Sequence, residues 1–427
     1  MFIQCKMKGP TDKLIFGVLA LLVLIYCIVQ GLKGGDFKIY MGAAELLKEG
    51  QSCYNQWIFL GGQNYGRYLY SPFFAFLLMP FTILPKGITA ILWLILNLFF
   101  LRRIFQISIK WLDVNYFSKK QFKLWIGLSL LLSMRFILHN FEMVQMNIFL
   151  LYVCLESIAL LEHHQHFKSA ILLSFGISIK VLPIVLIPYL IFRRKFKASL
   201  YSLFLIIAFT LLPSLYLGWE KNEQFLKEWY EIIDPSNDVY ISDQNKYGEG
   251  VHSLSGLYAA YFSPSESMLD TDSSRLIVEL SPHQLSFLLN SSRLFLIIAF
   301  LFFLRTWPFR AVSNKRKQYR ELSYLLCIVP LIFPHQQKYA FVFMLPSICY
   351  MTNFILLHWN DDNFGHFKRS IYILILSIFF ILTTLTTDGI VGNKLNDLSE
   401  YYKTITFGCI LLLLLLFSSG TDRYKTS

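Results

Sequence analysis

Charge is what this sequence has least of. Asp, Glu, Lys and Arg make up 15% of its 427 residues, against about 25% in soluble globular chains. Apolar residues reach 55% and aromatics 17%, with 40 Phe and 24 Tyr. One soluble core of this size cannot hide so much apolar surface. A soluble enzyme is therefore excluded, as are disordered and fibrous chains. Paired cysteines are lacking too. The seven stand at 5, 27, 53, 154, 327, 349 and 409, an odd number with no C-x-x-C pair and most inside apolar runs. That excludes a disulfide framework and a cysteine zinc site. Internal repeats and low-complexity tracts are missing as well. Acidic residues are the scarcer sign, 27 against 39 basic ones, a formal charge of +12. In a polytopic membrane protein this excess reflects Lys and Arg at cytoplasmic helix ends, not nucleic-acid binding.

Long apolar runs are abundant. A helix needs about 20 apolar residues to cross the hydrocarbon core. Such runs occur at 13–32, 87–103, 123–138, 145–161, 198–218, 285–304, 338–358, 370–387 and 404–419, with a shorter one at 320–333. The first is too long for a signal-peptide core and no small-residue cleavage site follows it, so it reads as a retained helix. The stretch 168–192 exceeds one span and is broken near Lys180 and Pro183, while 71–84 is apolar but short.

Basic clusters fix the orientation. They comprise Lys6 to Lys13, Arg102 to Lys123, Arg193 to Lys197, Arg305 to Arg320, Lys368 with Arg369, and Arg423 with Lys425. All are cytoplasmic only if 71–84 is re-entrant or interfacial and 168–192 is a tight pair of short helices turning at Lys180. The expected fold is all-α: one integral membrane domain over 1–427 with about 12 transmembrane helices and both termini inside. Lys, Ile, Phe and Asn richness suggests a bacterial plasma (inner) membrane. Segments 33–86, 139–144, the turn at Lys180, 219–284, the break at Pro334–His335 and 388–403 then lie outside. Of these, 33–86 and 219–284 would cap an active site.

The unusual polar residues fall on those outer segments. Asp36 stands at the N-cap of 37–48, where Phe37, Tyr40, Ala44 and Leu47 recur at helical spacing and describe an amphipathic helix lying on the surface; alone, Asp36 reads as a cap. Tyr68 and Tyr70 open the short apolar segment, as interfacial aromatics do. Gln145 and Asn147 begin a helix from the outer side, where polar groups often bond neighbouring helices. Lys180 is the sharpest residue. A lysine within apolar sequence either snorkels or marks a functional site, and a fixed cation at a helix break suits a phosphate. His335 occupies another outer break, followed by Gln336, Gln337 and Lys338, and His252 with Ser253 adds a further outer polar pair. Glu162-His163-His164-Gln165-His166 looks like a metal tract but falls in a short cytoplasmic turn. Asp270-x-Asp272 looks like a metal-binding pair but lies in a loop rich in Ser and Asp. No metal and no cofactor is expected.

In order along the chain these features resemble the integral-membrane glycosyltransferases of the GT-C superfamily, and more closely glycosyltransferase family 87. That family includes the mycobacterial polyprenyl-phosphate-mannose-dependent mannosyltransferases. The resemblance rests on Asp36-Phe37-x-x-Tyr40 with Ala43-Ala44, Tyr70-Ser71-Pro72-Phe73, Gln145-x-Asn147, Ile179-Lys180-Val181-Leu182-Pro183, His252-Ser253-Leu254 and Pro334-His335. It covers about residues 13–350. The chain departs where Val251-His252 replaces the family's usual Asn-Gln, and where Gln336-Gln337 replaces an aromatic or second-His segment. The resemblance implies a GT-C-like bundle, a polyprenyl-phosphate-linked hexose as donor, most often mannose, catalysis on the extracytoplasmic face and inversion. It maps the family's catalytic acidic residue in the first outer loop onto Asp36, the Lys of the Lys-x-x-Pro motif onto Lys180 and the late His onto His335.

The chemistry fits independently. Glycosyl transfer needs a base for the acceptor hydroxyl while the leaving group departs on the opposite face, and Asp36 is placed to serve. A lipid-phosphate leaving group needs little acid catalysis and more positive charge, which Lys180 and His335 would supply. Tyr40, Tyr70, Gln145, Asn147, His252 and Ser253 would bind substrate. The lipid tail would enter near 71–84. Partners are then the bilayer, a polyprenyl-phosphate sugar and a glycolipid or glycan acceptor, with no nucleic acid. A transporter or flippase of a lipid-linked sugar is the alternative, but carriers place polar residues at the midplane and show repeats. A surface-polysaccharide polymerase or ligase more often uses Arg and His in a large outer loop, whereas 219–284 has Arg275 among Ser, Asp and Glu.

Overall fold

The computed structural model describes residues 10–54, 56–60, 63–234, 250–264, 275–312, 314–359, 361 and 364–419. Helix α1 (Pro10–Lys33) stops at Gly34-Gly35, and α2 (Phe37–Lys48) continues from it bent by 46°. An antiparallel hairpin follows, β1 (Trp57–Leu60) and β2 (Gln63–Arg67), with Leu60 paired to Gln63. It is the one sheet among the described residues, and its sequence signal was slight: a Gly-Gly pair after the apolar run Trp57–Leu60, followed by the polar Gln63–Arg67. Next comes α3 (Pro72–Leu78), extended by a 3-10 turn at Met79–Ile83.

Further helices then run in order. They are α4 (Lys86–Trp111), α5 (Lys119–Glu142), α6 (Asn147–Glu162), α7 (His166–Ile179), α8 (Leu186–Phe192), α9 (Phe196–Leu211) and α10 (Trp219–Ile233). After them stand α11 (Leu254–Phe262), α12 (Pro282–Leu304), α13 (Lys315–Ile332), α14 (Leu345–Leu357), α15 (His366–Phe380), α16 (Asn393–Tyr401) and α17 (Thr404–Ser418). Local sequence explains the starts. Ser118 opens α5 and Ser281 opens α12 with complete capping boxes to Gln121 and Gln284, each satisfying two orphan donors.

Among the described residues six helical stretches are long and apolar enough to cross a membrane, among them α4, α5, α12 and the run Lys338–Leu357, and the count is eight if two bent pairs are each one span. The protein is an integral membrane protein. The segments that would raise the count to 12 are shorter. Helix α6 has 16 residues, which rise about 24 Å against a core of about 30 Å. Stretch 168–192 is broken at Lys180–Val181, as expected, between α7 and a 3-10 turn at Leu182–Val185. Along Lys338–Leu357 almost every residue is buried, so this stretch forms the bundle's centre.

One expected placement changes. Eight of the twelve residues of α2 are buried, among them Phe37, Tyr40, Ala43, Ala44 and Leu47, so the helix does not lie on the surface. The bend at Gly34-Gly35 turns it inward, where α3 and the hairpin pack against it. At the far end, Arg193 grips Glu321 at 2.6 Å, both almost fully buried, tying the end of α8 to α13. The Asp270-x-Asp272 pair lies outside the described residues.

Candidate active site

Four breaks between helices build the site, and three of them use backbone conformations that side chains rarely adopt. At the first, Gly35 has φ +44 and sits so close to Met143 that a Cβ would lie 2.7 Å from the Met143 carbonyl carbon and oxygen. That approach lets the Asp36 N–H donate to Met143 O at 3.0 Å. Asp36 occupies the N-cap position of α2 but its side chain makes no cap bond. Its carboxylate instead accepts from the Gln145 side-chain amide, so the expected capping role gives way to a tertiary one. At the second break, Val144 has φ +49. This is a strained value for a β-branched residue, and it turns the chain from α5 into Gln145. Trp93 of α4 donates its indole N–H to Gln145 O at 3.1 Å and holds that turn. At the third, His335 has φ +56 between α13 and the 3-10 turn Lys338–Met344.

Gln145 is oriented by two phenols. The Tyr40 and Tyr70 hydroxyls reach its Oε1 at 2.9 and 3.1 Å. The Asp36 carboxylate on the other side of the amide can only accept, so the atom facing it is the amide nitrogen and the atom facing the two phenols is the carbonyl oxygen. Tyr70 is placed in turn by Tyr54, whose hydroxyl donates to Tyr70 O at 2.8 Å. The next residue, Ser71, caps α3 and also donates to Ser178 O. This tie lays the Tyr70-Ser71 corner beside the end of α7, where the helix breaks and Lys180 projects. The Lys180 ammonium lies over the Tyr70 ring at 5.2 Å and over the Tyr339 ring at 5.7 Å, so cation–π attraction offsets part of its desolvation. Asn140 anchors Tyr339 by donating to its carbonyl at 2.7 Å.

These groups line one cavity of about 430 Å³, into which Asp36, Tyr40, Tyr70, Gln145, Lys180 and His335 all project. Asp36 and Lys180 stand at helix breaks and titrate abnormally. Burial pushes the Asp36 carboxyl up to about 6, against the pull of the Gln145 bond and the Lys180 charge. Burial likewise brings the Lys180 ammonium down to about 8, opposed by Asp36. The cavity thus holds a carboxylate and an ammonium that are both charged between those two values. It can take a proton and neutralise an anion in the same space.

Not every expected residue lines it. Asn147 begins α6 fully buried, with neither polar atom of its side chain partnered. His252 and Ser253 are also fully buried, outside the cavity wall. Their segment acts through its backbone: His252 N–H donates to Gln336 O at 2.8 Å and Val251 bridges to Gln337, bracing the loop that carries His335. Sequence reasoning missed Gln336, which was named only as a neighbour of His335, and Tyr339 and Arg293, which were read as parts of apolar runs. The signal for Arg293 was available, a cation following Asn290-Ser291-Ser292 inside an apolar run. Glu162, in the His-rich turn, accepts from Lys110 and Lys315. Among the described residues no group of three or more His, Cys, Asp or Glu converges as a metal site.

The sequence profile of glycosyltransferase family 87 matches residues 68–334, more than half of the chain. The matched stretch contains Tyr70, Gln145, Asn147, Lys180, His252 and Ser253. It begins after Asp36 and Tyr40 and ends one residue before His335. No curated protein and no solved structure matches.

Proposed function

The chain belongs to glycosyltransferase family 87 and is a membrane glycosyltransferase; from that premise we propose that it moves a hexose, in first place mannose, from a polyprenyl-phosphate donor to a lipid- or glycan-linked acceptor hydroxyl, with inversion. In this reading the bundle is GT-C-like, with about 12 crossings, and the cavity opens on the extracytoplasmic face of a plasma membrane. What supports it is the convergence of Asp36, Lys180 and His335 on one cavity.

The acceptor oxygen attacks the anomeric carbon as Asp36 takes its proton, so the nucleophile gains charge only as the new bond forms. The bond between the anomeric carbon and the phosphate oxygen breaks, and its electron pair leaves with the polyprenyl phosphate. The phosphate passes from one negative charge in the diester to two in the free monoester. Lys180, with His335, therefore binds the transition state more strongly than the bound donor, which is the condition for rate enhancement. Gln145 keeps the Asp36 carboxylate aimed and, by hydrogen bonding to its charged form, holds its affinity for protons below what burial alone would set. No metal enters this scheme.

Labelled polyprenyl-phosphate mannose supplied to the purified protein tests the reading. Release of polyprenyl phosphate should fall at least about a hundredfold in Asp36→Asn, the usual loss when a general base is removed. Equal release by Asp36→Asn would remove Asp36 from the chemistry. Failure of every polyprenyl-phosphate hexose as donor for the wild-type protein would overturn the donor class.

A further inference from the structure

Helix α12 forms one wall of the cavity, and its sequence divides in two. From Pro282 to Arg293 it carries His283, Gln284, Asn290, Ser291, Ser292 and Arg293; from Leu294 to Leu304 it is wholly apolar. Arg293 is the last polar group before the seam. Arg293 and Ile297 are four residues apart and so share a face, and both line the cavity. Around the rest of the helix Leu294, Phe295, Ile298, Leu301 and Phe302 are exposed, as side chains facing hydrocarbon are. Ile297 is itself 46% exposed, so the cavity reaches the flank of the molecule beside it. The spanning helices α4, α5, α9 and α15 add no residue to the lining. Neither does 71–84, the stretch where the lipid tail was expected, because the lining from that part of the chain stops at Tyr70.

Arg293 is incompletely satisfied. One terminal nitrogen donates to Asn290 at 3.0 Å, while its buried Nε has no partner. No carboxylate pairs with it among the described residues. A guanidinium in a spanning helix is costly without an anion, and the formal charges lining the cavity favour one: Arg67, Lys180 and Arg293 against Asp36 and Asp234.

We propose that Arg293 and Ile297 form a lateral portal for the donor lipid. Resting on the donor reading above, Arg293 binds a phosphate oxygen by a charge-assisted hydrogen bond. The first isoprene units pass Ile297, Ile332 and Phe333 into the bilayer. Lys180 and His335 then face the phosphate from the sugar side, with Arg293 on the tail side. The apolar half of α12 below Arg293 offers the chain a continuous hydrocarbon-like track, which a soluble sugar nucleotide would not use.

The test places a benzoylphenylalanine photo-crosslinker at Ile297, and separately at Phe81 in the 71–84 stretch, of full-length protein in vesicles containing polyprenyl phosphate. An adduct at position 297 and none at 81 is the expected result. Adducts at 81, at both positions, or at neither while wild-type protein still transfers sugar from the lipid donor, overturn the portal. Inactivity of wild-type protein with every polyprenyl-phosphate sugar, together with no retention of polyprenyl phosphate, overturns the donor reading instead. In parallel, Arg293→Gln should raise KM for a long-chain donor about tenfold, the effect of losing one charged hydrogen bond, with kcat little changed and Arg293→Lys restoring part of the loss. A change confined to kcat, or equal losses in Gln and Lys variants, would rule out phosphate binding by Arg293.

Discussion

At the scale of the residue, the site's character comes from burial acting on two ordinary groups. Asp36 and Lys180 would be charged across the whole physiological range on a surface, but inside the cavity their titrations close to about 6 and about 8. A base must be deprotonated and an oxyanion-holding lysine protonated, so activity should be greatest between those values. It should fall as pH drops through about 6, when Asp36 takes a proton, and again as pH rises through about 8, when Lys180 loses one. The pH dependence of kcat/KM checks this, and two variants separate its limbs. Lys180→Arg should remove the alkaline limb, because a guanidinium stays charged. Gln145→Leu should move the acid limb upward, because a hydrogen bond to the charged carboxylate is lost. An acid limb that stays put in Gln145→Leu would mean that some other group sets it. Asp36, Tyr40, Tyr70, Gln145, Lys180 and His335 were legible in the sequence as polar residues in apolar surroundings. Their order of support was not, since nothing in the spacing says that two tyrosines hold the amide that holds the carboxylate.

At the scale of the element, the helices matter less than the places where they stop. Gly34-Gly35, Val144, Lys180 and His335 all occupy breaks, and three of these breaks use left-handed backbone. Gly35 is the most exacting, with φ +44 and the Met143 backbone in the space a Cβ would fill. Gly35→Ala must push Asp36 away from Gln145. Misplacing a reacting group by about 1 Å costs about a hundredfold in rate, and an alanine in left-handed backbone adds about 1–2 kcal/mol of strain. Transfer should therefore fall about a hundredfold in Gly35→Ala while the melting temperature drops only modestly. Gly127→Ala is the control: it has open space in α5 and should leave both unchanged. Equal activity losses in the two variants would argue against a local effect at Asp36. Helix positions followed from hydrophobic period and capping residues, which act within one turn. The inward tilt of α2 did not, because amphipathic spacing states that a face is covered and not by what.

At the scale of the whole molecule, the cavity gathers at one end of the bundle. Lys338, next to the cavity residue Tyr339, donates to Glu400 at 2.5 Å, and Arg135 bonds Asn396 and Thr386. The segment 386–400 therefore shares that end, whereas the basic loop after α4 belongs to the cytoplasmic side in the proposed orientation. The six described cysteines are buried, so with Cys5 replaced by Ser a thiol introduced at the surface can be read against a quiet background. A membrane-impermeant maleimide added to intact cells should label Ile390→Cys, at a position 59% exposed. It should label Tyr116→Cys, at a position 89% exposed, only after the membrane is opened. The reverse pattern would put the cavity on the cytoplasmic side. By itself the sequence determined that the chain lives in a membrane, that it is helical, and which polar residues are too costly to be incidental. Those conclusions follow from local quantities: hydropathy over about 20 residues, caps within one turn, and the price of an isolated charge in apolar surroundings. Only the tertiary structure decided which of those residues meet. His252, Ser253 and Asn147 have the same local signature as Tyr70 and Gln145, yet they lie outside the cavity wall, while Arg293 comes into it from a helix more than a hundred residues beyond Lys180. Convergence across such separations depends on bends, close backbone approaches and helix contacts, and the three-dimensional packing fixes all of these together.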